Sequence, residues 1–342
     1  MPPLPPELVT AILRRAAPLD YSPSSYKIRR ATLRSCSLVS RTFRDVAQPM
    51  LGEVFEVGGQ EDVDLLAVEE KEGKARGSLV KLLVLRGEEG YGLVCDKKLA
   101  LERCPNVVDL RLSHAGDFEL DWLVSLSSLR RLVISNTTLD PPSSGTSLPS
   151  IIELSFFDTY YRDDDFLEHF PTPVVVSNLR GLGLGGLTGD YAPELEEERD
   201  AVDSTPFKDL EVLVERERDG EYLCWVTILP QTEAPAQELH IPFENESDKD
   251  YLAERVKSLY ITASWFPLTR ISLPSLLNSP SSVEEREAVE GLVATTAPRG
   301  VKVVYDEEPE DWTCTSLITP AVWQRTREEK AQRGMRAVPR LE

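Results

Sequence analysis

One spacing of apolar positions returns along the middle of the chain: apolar, two residues, apolar, one residue, apolar. It stands at Leu79–Leu82–Val84, Val107–Leu110–Leu112, Leu129–Leu132–Ile134 and Ile151–Leu154–Phe156. It continues at Leu179–Leu182–Leu184 and Phe207–Leu210–Val212, with weaker copies at Ala236–Leu239–Ile241 and Leu268–Ile271–Leu273. The middle residues are separated by steps of 28, 22, 22, 28, 28, 29 and 32. The last two apolar positions of each copy alternate as on a strand with one buried face. Helix-like pieces lie between the copies, at Leu99–Arg103, Phe166–Phe170, Tyr251–Leu259 and Val283–Leu292. A strand with its crossover cannot bury its own apolar face, so the eight units are expected to stack, in chain order, on one parallel sheet. Val301–Val304 reads as a last strand.

A period in the twenties with an LxxLxL core resembles the leucine-rich repeat. The resemblance implies a solenoid with a curved parallel sheet. The Asn of the consensus is mostly missing after the core, and Ser113, Ser135 and Gly185 stand nearby instead, so the copies are degenerate. Tyr191–Thr205, rich in Glu and Asp, reads as a loop inserted in one repeat. The residues flanking each middle apolar position point away from the core by strand alternation. They would line the concave face: Lys81 and Leu83, Asp109 and Arg111, Arg131 and Val133, Glu153 and Ser155, Gly181 and Gly183, Asp209 and Glu211, Glu238 and His240, Arg270 and Ser272. From these, Lys81, Arg111, Arg131, Glu153, Gly181, Gly183, Asp209, Glu211 and His240 are the candidate target-binding residues. Gly181 and Gly183 would leave a notch where a partner approaches the backbone.

The first 57 residues follow a helical period. Pro5 and Pro6 suit the first turn of a helix, Glu7 sits well near its positive end, and Leu8 and Ile12 share a face that Leu13 widens. Pro18 and Pro23 bracket a loop holding Ser22, Ser24 and Ser25. A second run places Leu33, Cys36 and Val39 on one side. Ser40 is positioned to cap a third helix with Phe43, Val46, Ala47 and Met50, without the Glu or Gln of a capping box. Three short helices of this size bury too little surface to be stable alone and must lean on the rest of the chain or on another protein.

LPPEL near the start, followed by CSLVSRTFRDVAQPML, resembles an F-box of the form common in fungal proteins. The match covers about one sixth of the chain, and the gap from Ala16 to Thr32 is longer than is usual in that family. The resemblance implies docking on the Skp-type adaptor of a cullin–RING ubiquitin ligase. The implied adaptor-binding residues are Leu4, Pro5, Leu8, Ile12, Leu13, Leu33, Leu38, Val39 and Phe43; some of them must instead hold the helices together.

Of 342 residues, 41% are hydrophobic and 28% charged, which fits a folded chain. No apolar run reaches the length of a membrane span, and no basic-then-apolar leader opens the sequence, so a cytoplasmic or nuclear location is expected. Five scattered cysteines without a CxxC pair fit a reducing compartment. Residues 1–50 hold eight Lys/Arg against three Asp/Glu, a balance of +5, and the remainder holds 30 against 55, a balance of −25. So acidic a body repels phosphate backbones, and nucleic acid is not expected as a partner.

Enzyme signatures are sparse. Gly181–Gly186 contains GxGxxG, but a dinucleotide site needs a helix opening on those glycines, and Leu182 and Leu184 make this stretch a repeat strand. There is no P-loop; His114, His169 and His240 lie far apart, and Asp163–Asp165 lacks the rest of a calcium loop. No cofactor, metal or catalytic residue is expected. The chain thus reads as an α/β protein in three parts: a helical module over 1–57, a repeat array over 58–305, and a polar cap or tail over 306–342. The tail carries Arg325, Arg327, Lys330, Arg333 and Arg336 among acids, and Trp312 or Trp323 is expected against the last strand. As a whole it reads as a substrate receptor of an SCF-type ligase, with a repeat scaffold without a ubiquitin role as the alternative.

Overall fold

In the computed structural model of the chain the described residues are 4–17, 23–69, 75–161, 170, 172, 174–185, 209–216, 224–228, 236–240, 253, 256–257, 268–306, 318 and 320–332. Asp163–Asp165, Tyr191–Thr205, Trp312 and residues 333–342 lie outside them, as do most of Phe166–Phe170 and Tyr251–Leu259. The protein is mixed α/β with a parallel sheet, and forms two compact units. The first contains Met1–Leu179, and the second contains Arg180–Gly186, Lys208–Pro309 and Leu317–Glu342.

The first unit opens with three helices, α1 (Pro6–Ala16), α2 (Pro23–Ser37) and α3 (Arg41–Leu51). Strands β1 (Val54–Val57), β2 (Leu82–Arg86), β3 (Asp109–Glu119), β4 (Arg131–Asp140) and β5 (Glu153–Phe157) then pair in that order, all parallel, and β6 (Tyr160–Tyr161) pairs with β4. Helices α4 (Gln60–Leu66) and α5 (Lys97–Arg103) lie in the crossovers and bury Val63, Leu66, Ala100 and Leu101. Leu110, Leu132 and Leu154 are aligned partners in neighbouring strands, as the repeat spacing requires. β1 has no copy of the spacing and was not legible as a strand.

The first copy is corrected by one residue. β2 pairs Leu83 with Leu110 and Leu85 with Leu112, so the unit is Val80–Leu83–Leu85 rather than Leu79–Leu82–Val84. Leu82 to Leu85 are all apolar and all buried, so alternation cannot set their phase. Both faces of β2 are covered because Tyr26 of α2 packs on Val54, Leu82 and Val84.

The turn after the LxL cores of β3, β4 and β5 recurs in the backbone as well. His114, Asn136 and Asp158, 22 residues apart, have φ of 49°, 45° and 45°. Asn and Asp are the side-chain-bearing residues that best tolerate this left-handed region. Hydroxyls tie neighbouring turns together. Ser135 Oγ donates to the Leu112 carbonyl at 3.1 Å, and Thr159 Oγ1 to that of Ile134 at 3.3 Å. Thr137 Oγ1 donates to Ser135 O at 2.8 Å and accepts from Ala115 N.

In the second unit the strands run β7 (Gly181–Gly185), β8 (Val212–Arg216), β9 (Cys224–Ile228), β10 (Ala236–His240), β11 (Leu268–Pro274) and β12 (Lys302–Asp306), paired in that order. The expectation of parallel strands throughout fails here, because β9 is antiparallel to both β8 and β10. The phase of β8 also slips: Leu182 pairs with Leu213, so the unit begins at Leu210 and not at Phe207. Val212, Leu213 and Val214 form another unbroken apolar run, and again the pattern cannot fix the register. α6 (Val283–Thr296) starts with the capping box Ser282–Glu285 and buries Ala288, Val289 and Leu292 against Ile271, Leu273 and Val301. The polar tail is partly a packed helix: α7 (Pro320–Gln332) buries Val322, Trp323, Arg325 and Thr326.

Candidate functional site

The structure sorts the N-terminal candidates by burial. Val9, Leu13, Ala17, Leu33, Ala47 and Met50 form the helical core, with Cys36, Phe43 and Val46 packed against it. Leu13, Leu33 and Phe43 therefore hold the helices together. Leu4, Leu8 and Ile12, four residues apart, are 48%, 52% and 48% exposed, and Pro5 beside them is exposed too. Leu8 and Ile12 on α1, with Leu4 and Pro5 just before it, form an apolar patch that no described residue of the helical core covers. Leu38 and Val39 are also exposed. Val39 does not share the side of Leu33 and Cys36, because α2 ends at Ser37 and the next two amides close a turn onto Ser35 O and Cys36 O. Ser40 caps α3 as expected, accepting from Phe43 N at 3.3 Å.

The long gap from Ala16 to Thr32 is corrected: α2 already begins at Pro23. That extra length supplies Arg29, which the sequence pattern did not single out. Its guanidinium is buried, donates to the carbonyls of Ala17 and of Met50 (3.0 Å), and pairs with Glu53 at 2.8 Å. Burial pushes its pKa down, against the opposing pull of Glu53. The C-terminal carbonyls of α1 and α3, unpaired by the helices themselves, converge on this one side chain. The only advance signal was a cation inside a run otherwise read as loop.

The charged row on the sheet exists, but it is not open. Arg111 grips Asp109 with two hydrogen bonds of 3.1 and 3.0 Å, Arg131 reaches the same carboxylate at 3.1 Å, and Arg131 Nε lies 2.7 Å from Glu153. The last is an ion pair without hydrogen-bond alignment. Asp109, Arg111, Glu153 and Ser155 are buried and Arg131 nearly so. Burial pushes the Asp109 carboxyl up, but Arg111 and Arg131 together outweigh it and hold its pKa below the ordinary carboxylate range. Burial also works against the charge of Arg131, and Glu153 and Asp109 overcome it, raising its pKa. The premise that Arg111, Arg131 and Glu153 face a partner across an exposed surface is thus corrected: they are consumed in a neutral, internally paired chain. Lys81, half-buried, precedes β2 and does not lie on the corrected face.

The other candidates fare likewise. The notch over Gly181 is filled, since a Cβ there would lie 2.8 Å from both Ile318 and Trp323. Trp323 therefore packs on β7, not on the last strand, and Gly183 is buried as well. Asp209 is exposed in the turn before β8, whereas Glu211 is buried and pairs with Lys330 at 2.8 Å and Arg180 at 3.5 Å. His240 lies on β10, with its side chain outside the described residues. No family model matches the chain, and no curated protein is significantly similar to it.

Among the described residues, no group of three His, Cys, Asp or Glu could hold a metal ion, and no helix is long and apolar enough to cross a membrane. Cys36, Cys95 and Cys104 are free, and burial pushes the Cys104 thiol up to about 12, far from a reactive thiolate. Gly181–Gly185 of the GxGxxG stretch form strand β7, as its leucines required.

Proposed function

We propose that the chain is the substrate-recognition subunit of a cullin–RING ubiquitin ligase of SCF type, working in the cytoplasm or nucleus, with α1–α3 as an F-box docking a Skp-type adaptor. The observation that carries this reading is the Leu4–Leu8–Ile12 stripe: large apolar side chains left in solvent beside a packed helical core, with Leu38 and Val39 of the same unit exposed as well. An LPxEL opening and an SLVSRxF core in the same unit support it. In this role the chain performs no covalent chemistry and contributes proximity, holding a protein target near the charged enzyme.

The test is co-purification with the adaptor. Burial of one Leu or Ile side chain is worth about 1.5–3 kcal/mol, so Leu8→Ala with Ile12→Ala should weaken docking by roughly a hundredfold or more. Co-purification of the double variant at the wild-type level would overturn the assignment. A second reading, a repeat scaffold without a ubiquitin role, is favoured by Tyr26 and Arg29, which tie the helices onto β1 and β2 as a cap would. Failure of the wild-type chain to capture the adaptor would select it.

A further inference from the structure

α2 carries Lys27, Arg29, Arg30 and Arg34 and no acidic residue. Arg29 is spent internally on Glu53. The other three fall at i, i+3 and i+7, which is one helical face. That face lines a cleft of about 430 Å³, with Tyr26 on the same helix and Glu56 and Arg86 opposite. Glu56 follows Val54 at strand spacing and Arg86 follows Leu82 and Val84, so both belong to the sheet face on which Tyr26 packs. The Arg30 guanidinium lies 6.0 Å over the Tyr26 ring, a cation–π contact that presents it to the cleft. Lys27, Arg30 and Arg34 are exposed, and among the described residues none of the three has an ion-pair partner. Like charges at these spacings repel and weaken a helix. In a chain of net charge −20, solubility does not call for such a stripe. Lys27, Arg30 and Arg34 leave the α2 wall of the cleft positive.

We propose that this cleft binds a short extended peptide bearing closely spaced carboxylates. The stripe from Lys27 to Arg34 rises about 10 Å along the helix axis at roughly 1.5 Å per residue. An extended chain covers that distance in about three residues, and its alternate side chains, about 7 Å apart, fall on one side. Exposed walls suit a chain lying along the helix better than a small molecule, which pockets enclose on most sides. A long nucleic acid is disfavoured by the acidic remainder of the protein. The inference does not rest on the adaptor reading, which concerns α1.

The test is fluorescence polarisation of a labelled peptide of about ten residues, long enough to overrun the cleft, alternating Asp and Gly. The control alternates Asn and Gly. Measurements use the full-length chain at about 0.1 M salt, where the screening length is about 10 Å. Saturable binding of the Asp peptide alone is expected. Arg30→Ala with Arg34→Ala should weaken it about tenfold, and Arg30→Glu with Arg34→Glu should abolish it. Both pairs are surface changes, and an unchanged circular dichroism spectrum and melting curve verify that the fold is kept. No binding of the Asp peptide, equal binding of the two peptides, or equal affinity of the variants would each overturn the proposal. So would displacement by sodium phosphate at an ionic strength where sodium chloride is inert, which would mark a site for free anions. Adaptor capture, read in parallel, should be unchanged by the Arg30 and Arg34 variants; its absence from the wild type would end the ligase reading and leave the cleft standing.

Discussion

Two parts of the first unit invert the usual division of polarity. At and just before α1, Leu4, Leu8 and Ile12 stand in solvent; on β3–β5, Asp109, Arg111 and Glu153 are buried with Arg131 between them. Residue type alone assigns the opposite role to each. What separates them is partnership. The strand charges find one another in register, because Asp109, Arg131 and Glu153 are successive aligned partners across the sheet. The α1 side chains point away from the one core their helix has. A charged row on a sheet is therefore as consistent with internal pairing as with recognition, while an unpartnered apolar stripe still lacks a partner after folding.

The largest effect should come from breaking the buried chain. Asp109→Ala leaves Arg111 and Arg131 facing each other without their shared anion, and should cost about 3–5 kcal/mol of stability in urea titration. The same carboxylate predicts an acid limb. Its folded pKa lies below the unfolded value, so its contribution is fully present above about pH 4 and is lost as pH falls through the folded value. Urea midpoints measured over a pH series should fall on the acid side in the wild type, and less steeply in Asp109→Ala. A wild type and variant with parallel pH profiles would show that Asp109 is not held this way.

Leu13→Ala should cost about 2–5 kcal/mol, as for a filled core site, without touching the proposed docking stripe. A smaller effect tests the turn. Asn136 has φ of 45°, and Asn136→Ala should cost about 1–2 kcal/mol while Asn136→Gly should be nearly neutral. The smallest effect belongs to Leu8→Ala with Ile12→Ala, whose melting curve should match the wild type within about 0.5 kcal/mol. If the stripe variants lost as much stability as Leu13→Ala, the contrast between the two regions would collapse.

The strands were legible wherever apolar and polar residues alternate. Leu110, Leu132 and Leu154 stood in phase because Asp109, Arg111, Arg131 and Glu153 flank them. Phase was lost at Leu82–Leu85 and Val212–Val214, where an unbroken apolar run has no polar residue to mark a face. β9, with the run Cys-Trp-Val-Thr-Ile, carried a strand signal by composition and was passed over because it lies off the repeat period. Burial of the charged row was not legible, since no local pattern says what lies above a sheet. The sorting of the helical candidates into Leu13, Leu33 and Phe43 inside and Leu8 and Ile12 outside depends on how three helices pack, which spacing within each helix leaves open.

The left-handed turns at His114, Asn136 and Asp158 give this stretch a modular grammar. A segment of 22 residues, such as Ala115 through Asn136, begins and ends at the same point of successive turns. Loss or duplication of that whole segment returns the chain to the turn it left, with the next strand's apolar residues on the same face. A change of one residue within the strand or its turn would instead turn the core face of the following strand outward. Length differences placed in the crossovers leave turn and strand intact, which is where the unequal steps elsewhere in the chain are accommodated.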